Sequence, residues 1–291
     1  MASSTASDLS PFVPPHEREP WDPPRCATAW IHTKLAIMKG EEESVRERKA
    51  LVKELYEAAK RENNHEAAFR LVELHWRDEA EDAIVNTVIA GGVKPIIAFP
   101  HPGFDDEDSI DQDAGNRVTS RNAIPFAIAE RLRSLVGGYA NETVKQASRV
   151  GRTKLKRFPR FVFQPSFVGE VDPTRPYILV DDTLTLGGTL AMMRSYIVRS
   201  GGTVLGVTAL AHSLGRDMPF AMQTETTGSL YRMYGPELDD LWKGKIGHEP
   251  ARLSDAEGRF LLTWGGDLPD GGAALLHKLG ARLDRARATC E

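Results

Sequence analysis

Cysteine is nearly absent. Only Cys26 and Cys290 occur in 291 residues, near opposite ends and without metal-ligand spacing. A disulfide framework and a cysteine zinc site are both disfavoured. No apolar run approaches the roughly 18 residues that span a bilayer. The N-terminus also lacks the basic stretch and apolar core of a secretory signal. The chain is therefore expected to be cytoplasmic, with no membrane partner. Nor is there a basic excess: 37 Lys plus Arg face 41 Asp plus Glu, for a net charge of −4. Dedicated nucleic-acid binders show the opposite imbalance, and no Gly-centred turn leads into a basic recognition helix. Nucleic acid is not an expected partner. With 41% hydrophobic and 27% charged residues, the composition is that of an ordinary soluble protein with room for a substantial core.

Residues 1–25 are rich in Ser, Pro and charge, and are expected to form a disordered arm. Residues 26–92 form a helical N-terminal region: Leu51, Leu55 and Ala58 recur at helical spacing, as do Ala68, Leu71 and Val72, then Ala80, Ile84 and Val88. Asn63-Asn64 marks a break and Gly91-Gly92 an end. From 93 to 212 short apolar runs (Pro95–Phe99, Tyr177–Val180, Val204–Leu210) alternate with helical segments (Ile124–Leu135, Leu190–Val198). That alternation predicts an α/β core with an open, mostly parallel sheet. Residues 213–291 are expected to be a mostly helical cap. Ser254 and Glu257 have the spacing of a capping box.

The chemistry concentrates in Tyr177–Leu210, which is read as strand, acidic pair, Gly/Thr loop, helix and strand. This is one βαβ crossover, with its loop at the carboxyl end of the first strand, where open α/β sheets bind ligands. Thr185, Gly187, Gly188 and Thr189 offer hydroxyls, close backbone approach and helix N-terminal N–H groups, with Thr189 as the expected cap. A phosphate monoester fits such a loop. Asp181 and Asp182 would repel a polyphosphate, so they suit vicinal hydroxyls or Mg²⁺ held through water. Together these describe a ribose 5-phosphate.

Residues 177–189 resemble the thirteen-residue phosphoribosyl-pyrophosphate (PRPP) motif of type I phosphoribosyltransferases: four apolar residues, two acids, then a Thr/Gly loop. The resemblance covers roughly residues 93–212. It implies a phosphoribosyltransferase-type sheet with helical additions at both ends, and a PRPP site of Asp181, Asp182, Thr183, Thr185, Leu186, Gly187, Gly188 and Thr189. Leu186 stands where the family usually has Thr, which leaves backbone donors to hold the phosphate. Residues 95–103 resemble the pyrophosphate loop, placing His101, Arg121, Asn122 and Arg157 on that side of the ligand. The acid-free basic run Lys145–Arg160 falls where the family has a closing loop, so Arg152 and Lys154 join Asp181 and Asp182 as catalytic candidates.

The implied activity is Mg²⁺-dependent transfer of ribose 5-phosphate from PRPP to a nitrogenous base or other small nucleophile, releasing pyrophosphate, within nucleotide metabolism. Mg²⁺ would sit on Asp181 and Asp182. A non-catalytic PRPP or nucleotide sensor of the same fold is the alternative. An acceptor would stack on Phe220, Tyr231, Tyr234, Trp242 or Trp264 of the cap, and a homodimer stays open.

Overall fold

The computed structural model describes residues 17–21, 26–42, 46–100, 122–141, 143–147, 155–268 and 271–288. In chain order, β1 (Thr28–Lys34) runs into a single turn, α1 (Leu35–Met38), followed by α2 (Arg46–Arg61), α3 (His65–His75) and α4 (Asp78–Gly91). Then come β2 (Ile96–Ala98), α5 (Ile124–Val136), β3 (Tyr139–Ala140), β4 (Lys145–Gln146), α6 (Arg157–Val162) and β5 (Phe167–Val168). The crossover is β6 (Pro176–Thr183), α7 (Gly188–Arg199) and β7 (Thr203–His212). After β8 (Met218–Pro219) the chain is helical: α8 (Thr224–Tyr234), α9 (Leu238–Ile246), α10 (Asp255–Gly266) and α11 (Gly272–Ala288).

The main sheet has six strands in the order β3-β2-β6-β7-β1-β8, parallel except where β8 meets β1. It is an α/β fold with a mixed, mostly parallel sheet. β4 and β5 form a separate antiparallel pair. Alternation along β6 divides its side chains between two cores. Ile178 and Val180 face α2, α3, α4 and α5, whereas Tyr177 and Leu179 face α7. A third core joins α6 to the C-terminal helices through Phe158, Phe161, Trp242, Leu261 and Leu279.

The local signals behave as their chemistry requires. Asn63 takes φ +56°, and Asn64 caps α3 by accepting from the Ala67 N–H at 2.9 Å. Gly92 ends α4 at φ +67°, a conformation that costs glycine little. Ser254 and Glu257 form the capping box of α10.

Several expectations need correction. The segment 26–92 is not helical throughout, because residues 28–34 are a strand of the main sheet, parallel to β7. Its polar members are accommodated: buried His32 meets Thr208 Oγ1 through Nε2 at 3.2 Å and accepts the Arg77 N–H on Nδ1 at 3.2 Å. The arm is not free up to residue 25, since Glu17–Trp21 pack against α7 and α10 with Arg18 buried. Thr189 does not cap α7, whose N-cap is Gly187 at φ +78°. Finally, Phe220, Tyr234 and Trp242 are core residues rather than stacking surfaces.

Candidate functional site

β6 ends in Asp181 and Asp182 at the carboxyl edge of the sheet, and neighbouring elements close around them. Lys60, from the last turn of α2, forms an ion pair with Asp182. Asn122 accepts the Ile124 N–H at the start of α5, and its side chain also hydrogen-bonds to Asp182. Asp181 Oδ1 accepts the Asp182 N–H at 2.8 Å.

Charge is distributed unequally in this group. Burial, the Asp182 charge and a side-chain hydrogen bond to Asp182 hold the Asp181 carboxyl well above the usual range, disfavouring its charged form. Burial also works against charge on Asp182, but Lys60, Asp181 and Asn122 outweigh it and lower that carboxyl. Lys60 is raised: burial opposes its charge and Asp182 more than restores it. Within the cluster the Lys60–Asp182 ion pair favours charge on both its members, while the charged form of Asp181 is disfavoured. Tyr56, one turn before Lys60, has its phenol raised mainly by burial.

The loop after β6 is occupied by the rest of the molecule. The Leu184 N–H donates to the Ala211 carbonyl at 2.9 Å. Thr185 Oγ1 accepts from Arg160 Nη1 at 3.1 Å. The Leu186 carbonyl accepts from Ser254 Oγ, and the Leu186 side chain packs against the C-terminal helical core. Gly187 has no room for a side chain: a Cβ there would come within 2.8 Å of the Phe220 ring.

The structure brings together Asp181, Asp182, Asn122 and the 183–189 loop, and gives Arg157 an aromatic partner in the C-terminal helices. The Arg157 guanidinium lies over the Phe260 ring at 5.3 Å, in the C-terminal unit. His101, Arg121, Arg152 and Lys154 lie outside the described residues. Lys60 and the reach of Arg160 to the loop were missed. Lys60 sits on a helix read only for its apolar stripe, and nothing local marks it as the partner of a carboxylate far along the chain.

The donor set does not fit Mg²⁺. Asp182 already has Lys60 as its counter-ion, and burial together with the Asp182 charge disfavours charge on Asp181. Among the described residues no three His, Cys, Asp or Glu gather as metal ligands.

No family model matches the sequence. The chain is similar to Protein TraN of Escherichia coli. Identity is 33% over 210 residues, which is 71% of this chain and 42% of that protein. An uncharacterized protein of Haemophilus influenzae is 32% identical over 145 residues, covering 50% of this chain and 29% of its own length. The chain therefore spans less than half the length of these curated relatives.

These matches overturn the phosphoribosyltransferase resemblance of residues 177–189. No family model of that kind matches, and the named relative is Protein TraN. With the resemblance fall Mg²⁺-dependent transfer from PRPP, the PRPP- or nucleotide-sensing alternative and the assignment to nucleotide metabolism. The physical reason is visible in the loop. Leu186 is an anchor for the helical unit, and the acidic pair carries a lysine counter-ion.

Proposed function

We propose that the chain shares the role of the matched part of Protein TraN, and that this role is binding rather than catalysis. The binding group is the cluster of Lys60, Asn122, Asp181 and Asp182, and its ligand is a small uncharged molecule bearing several hydroxyls. One observation carries this reading: a charge-compensated set of hydrogen-bonding side chains stands at the carboxyl edge of a mostly parallel sheet, the usual ligand position in such folds. The Asp182 carboxylate and the Asp181 carboxyl offer acceptors, and Lys60 and Asn122 offer donors. With Asp182 paired to Lys60 and charge on Asp181 disfavoured, the cluster gives little advantage to an ionic ligand, whereas hydroxyls exchange for water at little electrostatic cost. The absence of a nucleic-acid partner belongs to the same proposal and is supported by the acidic balance of the sequence. Among the described residues no helix is long and apolar enough to cross a membrane.

The test is thermal unfolding of the full chain against free pentoses, hexoses and inositols. A ligand at about 100 times its Kd stabilises by roughly 2.7 kcal/mol. The expected result is such a shift from at least one compound, lost in Asp182→Asn. Absence of a shift across the panel overturns the reading.

A further inference from the structure

Residues Glu17–Trp21 lie across a groove between α7 and the start of α10, and the groove holds them as a peptide is held. Four consecutive main-chain carbonyls each accept from an arginine side chain. Glu17 takes Arg199 Nη2 at 2.9 Å, and Arg18 takes Arg252 Nη1 at 2.5 Å. Glu19 and Pro20 take the two terminal nitrogens of Arg194 at 3.2 and 2.9 Å. The Glu19 N–H donates to Ser195 Oγ at 3.0 Å.

Two side chains enter shaped positions. Arg18, 1% exposed, donates to both oxygens of Glu257 at 2.5 and 2.9 Å and to Gln164 Oε1 at 3.0 Å. Trp21 donates its indole N–H to the Leu253 carbonyl at 2.9 Å. Its ring meets Phe220 edge-on at 5.4 Å and carries the Arg194 guanidinium at 4.6 Å. Gln164, Arg194, Ser195 and Glu257 are all more than nine-tenths buried, so these contacts belong to a built site.

We propose that this groove is a recognition site for short peptides with the pattern Arg-x-Pro-Trp, filled in cis by Arg18–Trp21, and that filling it fixes the loop after β6. Carbonyl recognition by arginines is indifferent to sequence, so selectivity rests on the bidentate arginine pocket and the tryptophan slot. The coupling runs through hydrogen bonds. Glu257, held by Arg18, accepts the Ser254 N–H at 2.9 Å, and Ser254 Oγ accepts the Glu257 N–H at 3.1 Å while donating to the Leu186 carbonyl. Removing the Arg18 guanidinium strands the Glu257 carboxylate in a buried site. The cap of α10 and the latch on Leu186 then loosen together.

The experiment is hydrogen exchange on the full chain, comparing wild type with Arg18→Ala, with and without the acetylated, amidated peptide Glu-Arg-Glu-Pro-Trp at millimolar concentration. In Arg18→Ala, exchange at 184–188 and 254–258 rises at least tenfold while β6 and β7 keep their protection. The peptide restores the slow rate, and the same peptide with Ala for Arg does not. Unchanged exchange in those two segments overturns the proposal, as does a rise that the peptide fails to reverse. If Arg18→Ala does not fold, Arg18→Lys takes its place, with a smaller rise expected and the same peptide response required. No ligand at Asp182 enters this readout, so its failure leaves the binding reading above untouched.

Discussion

The ammonium of Lys60 is bound to the carboxylate of Asp182 across 122 residues of sequence, tying the end of α2 to the end of β6. Both groups are largely buried, so each is the other's main protection against an uncompensated charge. Lys60→Met is expected to cost about 3 kcal/mol, at the low end for a broken buried pair because Lys60 keeps some exposure. The double variant Lys60→Met/Asp182→Leu should cost less than the two single changes added together. Chemical denaturation of the four species measures this coupling, and strict additivity contradicts the pairing.

Asp181 makes stability depend on pH in one direction. Its folded-state affinity for the proton exceeds that of the unfolded chain, whose ordinary value is 3.8. Its stabilising contribution is therefore complete below 3.8 and declines as pH rises through the folded value. Asp181→Asn mimics the protonated form. It should match wild type near pH 4 and exceed it at pH 8, as read by urea unfolding at the two pH values. Equal stability gaps at both would refute the shift.

Two buried histidines act in the opposite sense. His32 and His248 are each pushed down from 6.5 to about 3, first by burial, then by Arg77 and Arg131 for His32 and chiefly by Arg18 for His248. The unfolded chain takes up these protons before the folded one, so stability is fully present above 6.5 and falls as pH drops towards 3. Each group contributes a slope of roughly 1.4 kcal/mol per pH unit inside that window. His32→Gln and His248→Gln should each flatten the acid limb of a melting-temperature profile. A limb unchanged in both variants would argue against this origin of acid sensitivity.

Leu186 is an anchor rather than a vestige of a phosphate loop. Its side chain lies against the C-terminal core and its carbonyl receives Ser254. Leu186→Thr should lower stability by about 1–2 kcal/mol through lost apolar burial, without conferring affinity for inorganic phosphate. Calorimetric titration with phosphate, alongside thermal unfolding, checks both parts. Tight phosphate binding by the variant would show that the loop's backbone is already arranged as an anion cradle.

Much of the framework was legible because its signals are local. Asn64, Gly92 and the Ser254–Glu257 box mark helix ends by chemistry within three or four residues. The unbroken apolar runs of β6 and β7 marked strands buried on both faces. β1 escaped because TAWIHTK mixes Thr, His and Lys with its apolar residues, and its pairing with β7 is not written locally. In the candidate site, Asp181, Asp182 and their loop lie in one contiguous segment, whereas their electrostatic surroundings are not written there. Those depend on Lys60 and Asn122, brought in by other elements.

The sequence by itself determined the crossover from Tyr177 to Leu210, the break before α3, the end of α4, the start of α10 and the carboxyl edge at which two aspartates must stand. Backbone propensity and apolar period act over a few residues, so a linear reading reaches them. Only the tertiary structure decided what those aspartates are and what the loop beside them does. Burial raises the Asp181 carboxyl, Lys60 pairs with Asp182, and Ser254, Arg160 and the helical core take up the loop. Electrostatics and desolvation act through space, as between Lys60 and Asp182, which lie 122 residues apart in the chain.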